Sequence, residues 1–136
     1  MENKIKGSCY CGKIQFHLIN KPKLVTNCHC DDCKKRNGTV FSTYVAASES
    51  DLQFSKGENV LKQYEIKNVG IKYFCPECGS PVYNKNFRFP GFTLVFYGAI
   101  TESANYEPSV NVFCASKHSW VDDIKNIQSF QEAIER

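Results

Sequence analysis

No stretch of this sequence stays apolar for long enough to cross a bilayer, and the opening Met1-Glu2-Asn3-Lys4-Ile5-Lys6 lacks the apolar run of a secretory signal. A cytoplasmic protein is therefore expected. Strong charge of one sign is missing too. The net charge is +3, and basic residues are interleaved with acidic ones except at Lys34-Lys35-Arg36. Without a long cationic stripe, nucleic acid is an unlikely partner. Repeats, low-complexity tracts and linkers do not occur. The 136 residues are expected to form one domain, 1–136, large enough to bury a core without disulfides.

Cysteine, by contrast, is abundant. Seven of the eight cysteines fall into three tight groups: Cys9-Tyr10-Cys11, Cys28-His29-Cys30-Asp31-Asp32-Cys33 and Cys75-Pro76-Glu77-Cys78. In a reducing compartment, C-x-C and C-x-x-C spacings serve metal chelation rather than disulfides.

Short β-rich runs separated by turns dominate the rest. Lys13 to Leu18 alternates, with Ile14, Phe16 and Leu18 on one face, as a half-buried strand does. Further strands are expected at Ile5 to Cys9, Leu24 to Asn27, Val40 to Ala47, Leu52 to Phe54, Ile71 to Phe74, Phe92 to Tyr97 and Val110 to Cys114, with an edge strand at Val60 to Ile66. After Pro81-Val82-Tyr83-Asn84 a polar and aromatic loop runs to Pro90-Gly91. Asp31 to Arg36 reads as a brief helical turn, with carboxylates first and cations last, and Ser129 to Ile134 as a short terminal helix. The expected class is mainly β, with antiparallel sheets tied by metal sites and little helix.

A tetrahedral zinc takes four sulfurs, so seven imply one closed site and one with a position left open. Cys75-Pro76-Glu77-Cys78-Gly79 has the form of a zinc knuckle and needs two partners. Pairing it with Cys9 and Cys11 gives a complete structural site and leaves Cys28, Cys30 and Cys33 as a three-sulfur set. The opposite pairing strands a sulfur. In the competing reading both groups are inert, with His29, Asp31, Asp32 or Cys114 completing the second. An extended backbone at Cys28-His29-Cys30 turns His29 away from the two sulfurs. All-sulfur sites favour zinc over harder ions.

An open zinc held by three thiolates binds and deprotonates an incoming thiol, which suits the making and breaking of carbon–sulfur bonds at small electrophilic carbonyls. Lys34, Lys35 and Arg36 stand either as receptors for carboxylates of a peptide-like thiol such as glutathione or as a solvated face. His118, beside a tryptophan expected to be buried, reads as packing, and Cys114 as a small buried hydrophobe. The alternative function is a non-catalytic, zinc-stabilised binding module.

The ordered set Gly7-Ser8-Cys9-Tyr10-Cys11-Gly12, Cys28-His29-Cys30-Asp31-Asp32-Cys33 and Phe74-Cys75-Pro76-Glu77-Cys78-Gly79, with the stretch Pro108 to Trp120, closely resembles the glutathione-dependent formaldehyde-activating enzyme family over nearly the whole chain. That family includes centromere protein V. The resemblance implies a tent-like, mainly β fold and two zinc ions per chain. One would be structural, at Cys9, Cys11, Cys75 and Cys78; the other would be catalytic, at Cys28, Cys30 and Cys33. It also implies condensation of formaldehyde with glutathione to S-(hydroxymethyl)glutathione, a carbon–sulfur lyase reaction when written in reverse. Asn111 stands where many members carry histidine.

Overall fold

In the computed structural model, which describes residues 4–102 and 105–134, the β-rich runs become ten strands. They are β1 (Ile5–Ser8), β2 (Gln15–Leu18), β3 (Leu24–Cys28), β4 (Ser42–Ser48), β5 (Leu52–Lys56), β6 (Lys62–Ile66), β7 (Gly70–Phe74), β8 (Pro81–Asn86), β9 (Phe92–Phe96) and β10 (Val110–Val112). Helix α1 (Asp31–Asn37) follows β3, with Asp31 and Asp32 in its first turn and Lys34, Lys35 and Arg36 in its last, as the helix dipole favours.

The strands form a three-stranded sheet, β1-β2-β5, and a seven-stranded sheet, β10-β3-β4-β9-β8-β7-β6. Register in the larger sheet sets one transverse row across five strands: Val25 opposite Val45, then Val95, Tyr83 and Tyr73. All five are buried and face Ile5, Ile14, Phe16 and Leu18 of the smaller sheet and its preceding turn, forming one core. Side chains directly opposite on neighbouring strands stand close enough to pack pairwise, and the Tyr73 and Tyr83 rings stack with centroids 4.2 Å apart. Phe54 of β5 touches both Phe16 and Tyr83, bridging the sheets.

Because side chains alternate along a strand, the neighbouring residues form a second row on the opposite face. There Cys28 pairs with Ser42, Thr26 with Tyr44, and Tyr44 with Phe96. Leu94, Asn84 and Lys72 lie on the same face through their own pairings. The larger sheet thus carries the main core on one side and the cluster of Cys28, Cys33, Tyr44 and Phe96 on the other.

The mainly β expectation holds, with three local corrections. β8 extends to Asn86 because it is an interior strand, hydrogen-bonded to both β7 and β9, so Val82, Tyr83 and Asn84 are buried and the loop to β9 is short. Ser129 to Ile134 is not helical. Phe130 and Ile134 are exposed there, and six residues without a packing surface do not meet the cost of helix nucleation; a 3-10 helix occupies Ser119–Asn126 instead. Among the named strand pairs β10 alone is parallel, running beside β3; the rest are antiparallel, and β6 is an edge as expected.

Candidate metal centres

Two turns of related design bring the first four sulfurs together. After β1 the chain folds back at Cys9-Tyr10-Cys11-Gly12, where the Gly12 amide donates to the Cys9 carbonyl and the Cys9 amide to that of Ile14. After β7 it folds at Cys75-Pro76-Glu77-Cys78-Gly79, where the Gly79 amide donates to the Cys75 carbonyl. Gly12 and Gly79 have φ of 80° and 78°, a conformation residues with a Cβ rarely adopt. The Tyr10 amide donates to Ser80 Oγ at 2.9 Å and Lys13 pairs with Glu77 at 3.1 Å, so the two turns are also joined outside their sulfurs.

The ligand atoms of Cys9, Cys11, Cys75 and Cys78 all lie within 4.8 Å of one another. Zinc–sulfur bonds of about 2.3 Å in a tetrahedron place sulfurs about 3.8 Å apart; Cys9 and Cys11 stand 3.6 Å apart, and Cys11 and Cys75 3.9 Å. The donor set fits a four-sulfur metal site. The Ile14 amide donates to Cys9 Sγ at 3.3 Å. The Ser80 hydroxyl, 3.2 Å from Cys78 Sγ, is the leading cause holding that thiol down to about 5.

The second group is built from the end of β3 and the first turn of α1. Cys28, Cys30 and Cys33 also converge within 4.8 Å, with Cys28 and Cys33 3.7 Å apart, again the tetrahedral spacing. Cys28 and Cys33 are buried; Cys30 is not, so access is from the Cys30 side. His29 lies between two of the sulfurs in sequence but outside this group. It is 2% exposed, and its ring packs on Phe41 with centroids 5.0 Å apart.

Cys33 receives three donors. Cys28 donates its thiol proton, the Tyr44 hydroxyl lies at 3.5 Å and an Arg36 guanidinium N–H also at 3.5 Å. Together, with the Cys28 bond foremost, they hold the Cys33 thiol well below its usual value despite burial, while sharing the proton with Cys33 pushes Cys28 up. Burial, and then the charge on Cys33, push the Tyr44 phenol up, so it remains a donor. Asn37 and Asn84 each donate an amide N–H to the Tyr44 oxygen, at 3.1 and 3.5 Å. Lys72 Nζ caps this arrangement, donating to the Arg36 carbonyl and to Asn37 Oδ1. Burial, and secondarily Arg36, lower its pKa.

The basic run is not a uniformly solvated face. Lys34 points inward to Asp31, the Ser116 carbonyl and His118 Nε2, and Arg36 to Cys33 and Asp32; only Lys35 is exposed. Trp120 is 51% exposed and stacks on His118 rather than filling a core, and Cys114 is exposed. Their segment follows an edge strand and lies on the surface, so no facing element covers them. Asn111 accepts a hydrogen bond from Asn27 at 3.1 Å, and Thr43 donates to Asn27 Oδ1 at 2.6 Å. A groove of about 680 Å³ passes Cys9 and Ser80 of the first group, and is also lined by Phe96 and Ala99, which pack on the second.

Residues 4–116 match the model of the glutathione-dependent formaldehyde-activating enzyme. The chain belongs to that family. A Halomonas elongata protein provisionally named for the same activity is 24% identical over 125 residues, covering 87% of this chain and 80% of its own length. A crystal structure of a Rhodobacter sphaeroides protein, 22% identical, superposes with a TM-score of 0.63 over 79% of this chain and all of its own, a likeness of fold. Tyr44, Asn37, Asn84 and Lys72 are additions that the spacing of cysteines gives no means of finding. Tyr44 touches Cys33 itself, and Asn84 and Lys72 are brought to Tyr44 and Asn37 only through the pairing of β4, β9, β8 and β7.

Proposed function

We propose that this family member is a zinc-dependent carbon–sulfur lyase acting on thiol adducts of formaldehyde or another small aldehyde, with glutathione as the family's thiol. In this reading the domain spans 1–136, Cys9, Cys11, Cys75 and Cys78 hold a structural zinc, and Cys28, Cys30 and Cys33 hold the catalytic one. The observation that carries it is the second group: three sulfurs at tetrahedral spacing, no fourth protein donor grouped with them among the described residues, and one side accessible.

Zinc bound there would favour the thiolate form of a fourth, substrate sulfur. The chain's own residues prepare the place. Tyr44 and Arg36 draw electron density from Cys33 by donating to its sulfur, and Arg36 partly offsets the net negative charge of three thiolates around a divalent ion. Phe96, Tyr44 and Val112 keep water from the Cys28 and Cys33 side. Asn37 and Lys72 fix the phenol and the end of α1, so the donors need no rearrangement when substrate arrives.

Metal content with and without glutathione tests the reading. Wild type should carry about two zinc equivalents and Cys30→Ser about one, with strands retained by circular dichroism. Glutathione should bind the wild type and not the variant. Two equivalents in Cys30→Ser, or equal glutathione binding by both proteins, would sink the assignment.

A further inference from the structure

Both cysteine groups lie at one end of the larger sheet, where β3 finishes at Cys28 and β7 at Phe74, the residue before Cys75. The opposite end differs in character. There Phe87-Arg88-Phe89-Pro90-Gly91 joins β8 to β9, and Lys67-Asn68-Val69 joins β6 to β7. The two turns are neighbours, since the Phe87 amide donates to the Val69 carbonyl at 2.9 Å. Within the first turn the Phe89 amide donates to the Asn86 carbonyl, the Phe92 amide to that of Phe89, and the Arg88 amide to Asn86 Oδ1. The rings on this fixed turn have no cover: Phe87, Phe89 and Phe92 are 52%, 52% and 40% exposed and belong to neither core cluster. Apolar surface gathered in this way at the end of a fold marks a contact site.

Cations surround the rings. Arg88 is on the aromatic turn and Lys67 on its neighbour. Lys21 and Lys23 come from the connection between β2 and β3, which is tied to the same turn through two contacts: Asn20 donates to Asp51 at 2.9 Å, and the Glu49 amide to the Gly91 carbonyl at 2.8 Å. All four are exposed, and none makes a side-chain hydrogen bond or ion pair among the described residues. The carboxylates nearest the rings are already engaged, Glu49 by Lys85 at 2.6 Å and Asp51 by Asn20. Two unpaired ones, Glu65 on β6 and Glu107 ahead of β10, stand at the two outer edges of the sheet.

We propose that this end of the larger sheet docks on an anionic phospholipid surface, with Phe87, Phe89 and Phe92 entering the interface and Arg88, Lys67, Lys21 and Lys23 meeting lipid phosphates. A bilayer accepts rings and cations side by side, because the rings pass below the phosphates while long basic side chains reach back to them. An acidic protein would instead need a cleft shaped to three rings on one narrow turn. The chain would lie on the membrane without crossing it, as no helix among the described residues is long and apolar enough to cross. Both cysteine groups, at the far end of the sheet, would face away from the bilayer. The inference does not depend on the lyase reading.

Co-sedimentation with vesicles makes the test, using phosphatidylcholine alone and phosphatidylcholine with about a third phosphatidylserine. Wild type should bind the anionic vesicles at least about tenfold more tightly than the neutral ones, and less tightly as salt rises. Lys67→Glu/Arg88→Glu should lose that gain. Phe87→Ser/Phe89→Ser should bind the anionic vesicles at least about tenfold more weakly, because the apolar area it would bury is gone. Unchanged circular dichroism and melting temperature in both variants show that they are folded, as expected of substitutions on exposed turns. Failure of wild type to bind anionic vesicles overturns the inference and leaves this surface to an acidic protein. Binding that survives either double substitution also overturns it, since attraction of the chain's net charge of +3 would then suffice. So does a wild-type dimer in sedimentation that Phe87→Ser/Phe89→Ser converts to monomer, which would assign the rings to a second copy.

Discussion

The Tyr44 hydroxyl lies 3.5 Å from Cys33 Sγ, and the Asn37 and Asn84 amides that donate to its oxygen leave its proton directed at the sulfur. Hydrogen bonds of this kind to a metal-ligating residue typically alter metal affinity by about 10–100-fold when removed. Tyr44→Phe is accordingly expected to weaken the second metal site by about that factor and leave the first unchanged. Competition against a chromophoric chelator, resolving two binding steps, measures it. Equal affinity in Tyr44→Phe and wild type would show that the phenol does nothing for Cys33.

The first group behaves differently because Cys75 is fully buried and belongs to the main core. Structural zinc sites contribute directly to folding. Cys75→Ser should lose one metal equivalent and lower the melting temperature by at least about 10 °C, as expected for a few kcal/mol in a chain of this size. Cys30→Ser, on the accessible side of the second group, should lower it far less. Calorimetry on the two variants in parallel checks the contrast.

Ile14 links the core and the first candidate metal centre, since its side chain is fully buried while its amide donates to Cys9 Sγ and its carbonyl accepts from the Cys9 amide. Ile14→Ala should cost about 2–5 kcal/mol through lost burial and the cavity left behind. Urea denaturation would show this as a lower midpoint with unchanged slope. A loss below about 0.5 kcal/mol, the usual range for surface changes, would place Ile14 outside the core.

Lys72 gives a dependence on pH whose sign follows from burial. Its folded pKa lies below the ordinary lysine value, which is near 10.4 in unfolded chains. Between the two, the unfolded chain binds more protons, so this group's contribution to stability rises with pH in that alkaline window. Below it the charged lysine is a cost, offset by its bonds to the Arg36 carbonyl and Asn37. Relative to Lys72→Met, wild type should gain stability as pH rises through the window, in paired denaturation curves. A stability difference that stays flat or falls across the window would contradict the buried-cation account.

Strand composition and cysteine spacing are local properties, and they made most of the strands, the two candidate metal groups and the brief α1 readable from residues alone. Alternation at Ile14, Phe16 and Leu18 names a face whatever packs against it. What stayed hidden is long-range. Tyr44, Asn84 and Lys72 share a face with Cys28 only because β4, β9, β8 and β7 adopt one particular order and register. Lys34 and Arg36 look like surface charges in sequence, and only the C-terminal segment and Cys33 supply the partners that turn them inward. Trp120 and Cys114 mislead for a related reason. Hydrophobicity says where a side chain prefers to be, while burial requires a facing element that sequence does not provide.

The parallel pairing of β10 with β3 joins residues 84 apart, as Thr26 and Val110 show, whereas Cys28 and Cys33 are separated by only 5 and Cys11 and Cys75 by 64. Bringing the first group together therefore closes a far longer loop than the second requires, at a greater cost in chain entropy. On that ground a metal held by Cys9, Cys11, Cys75 and Cys78 would restrict the unfolded chain far more than one held by Cys28, Cys30 and Cys33.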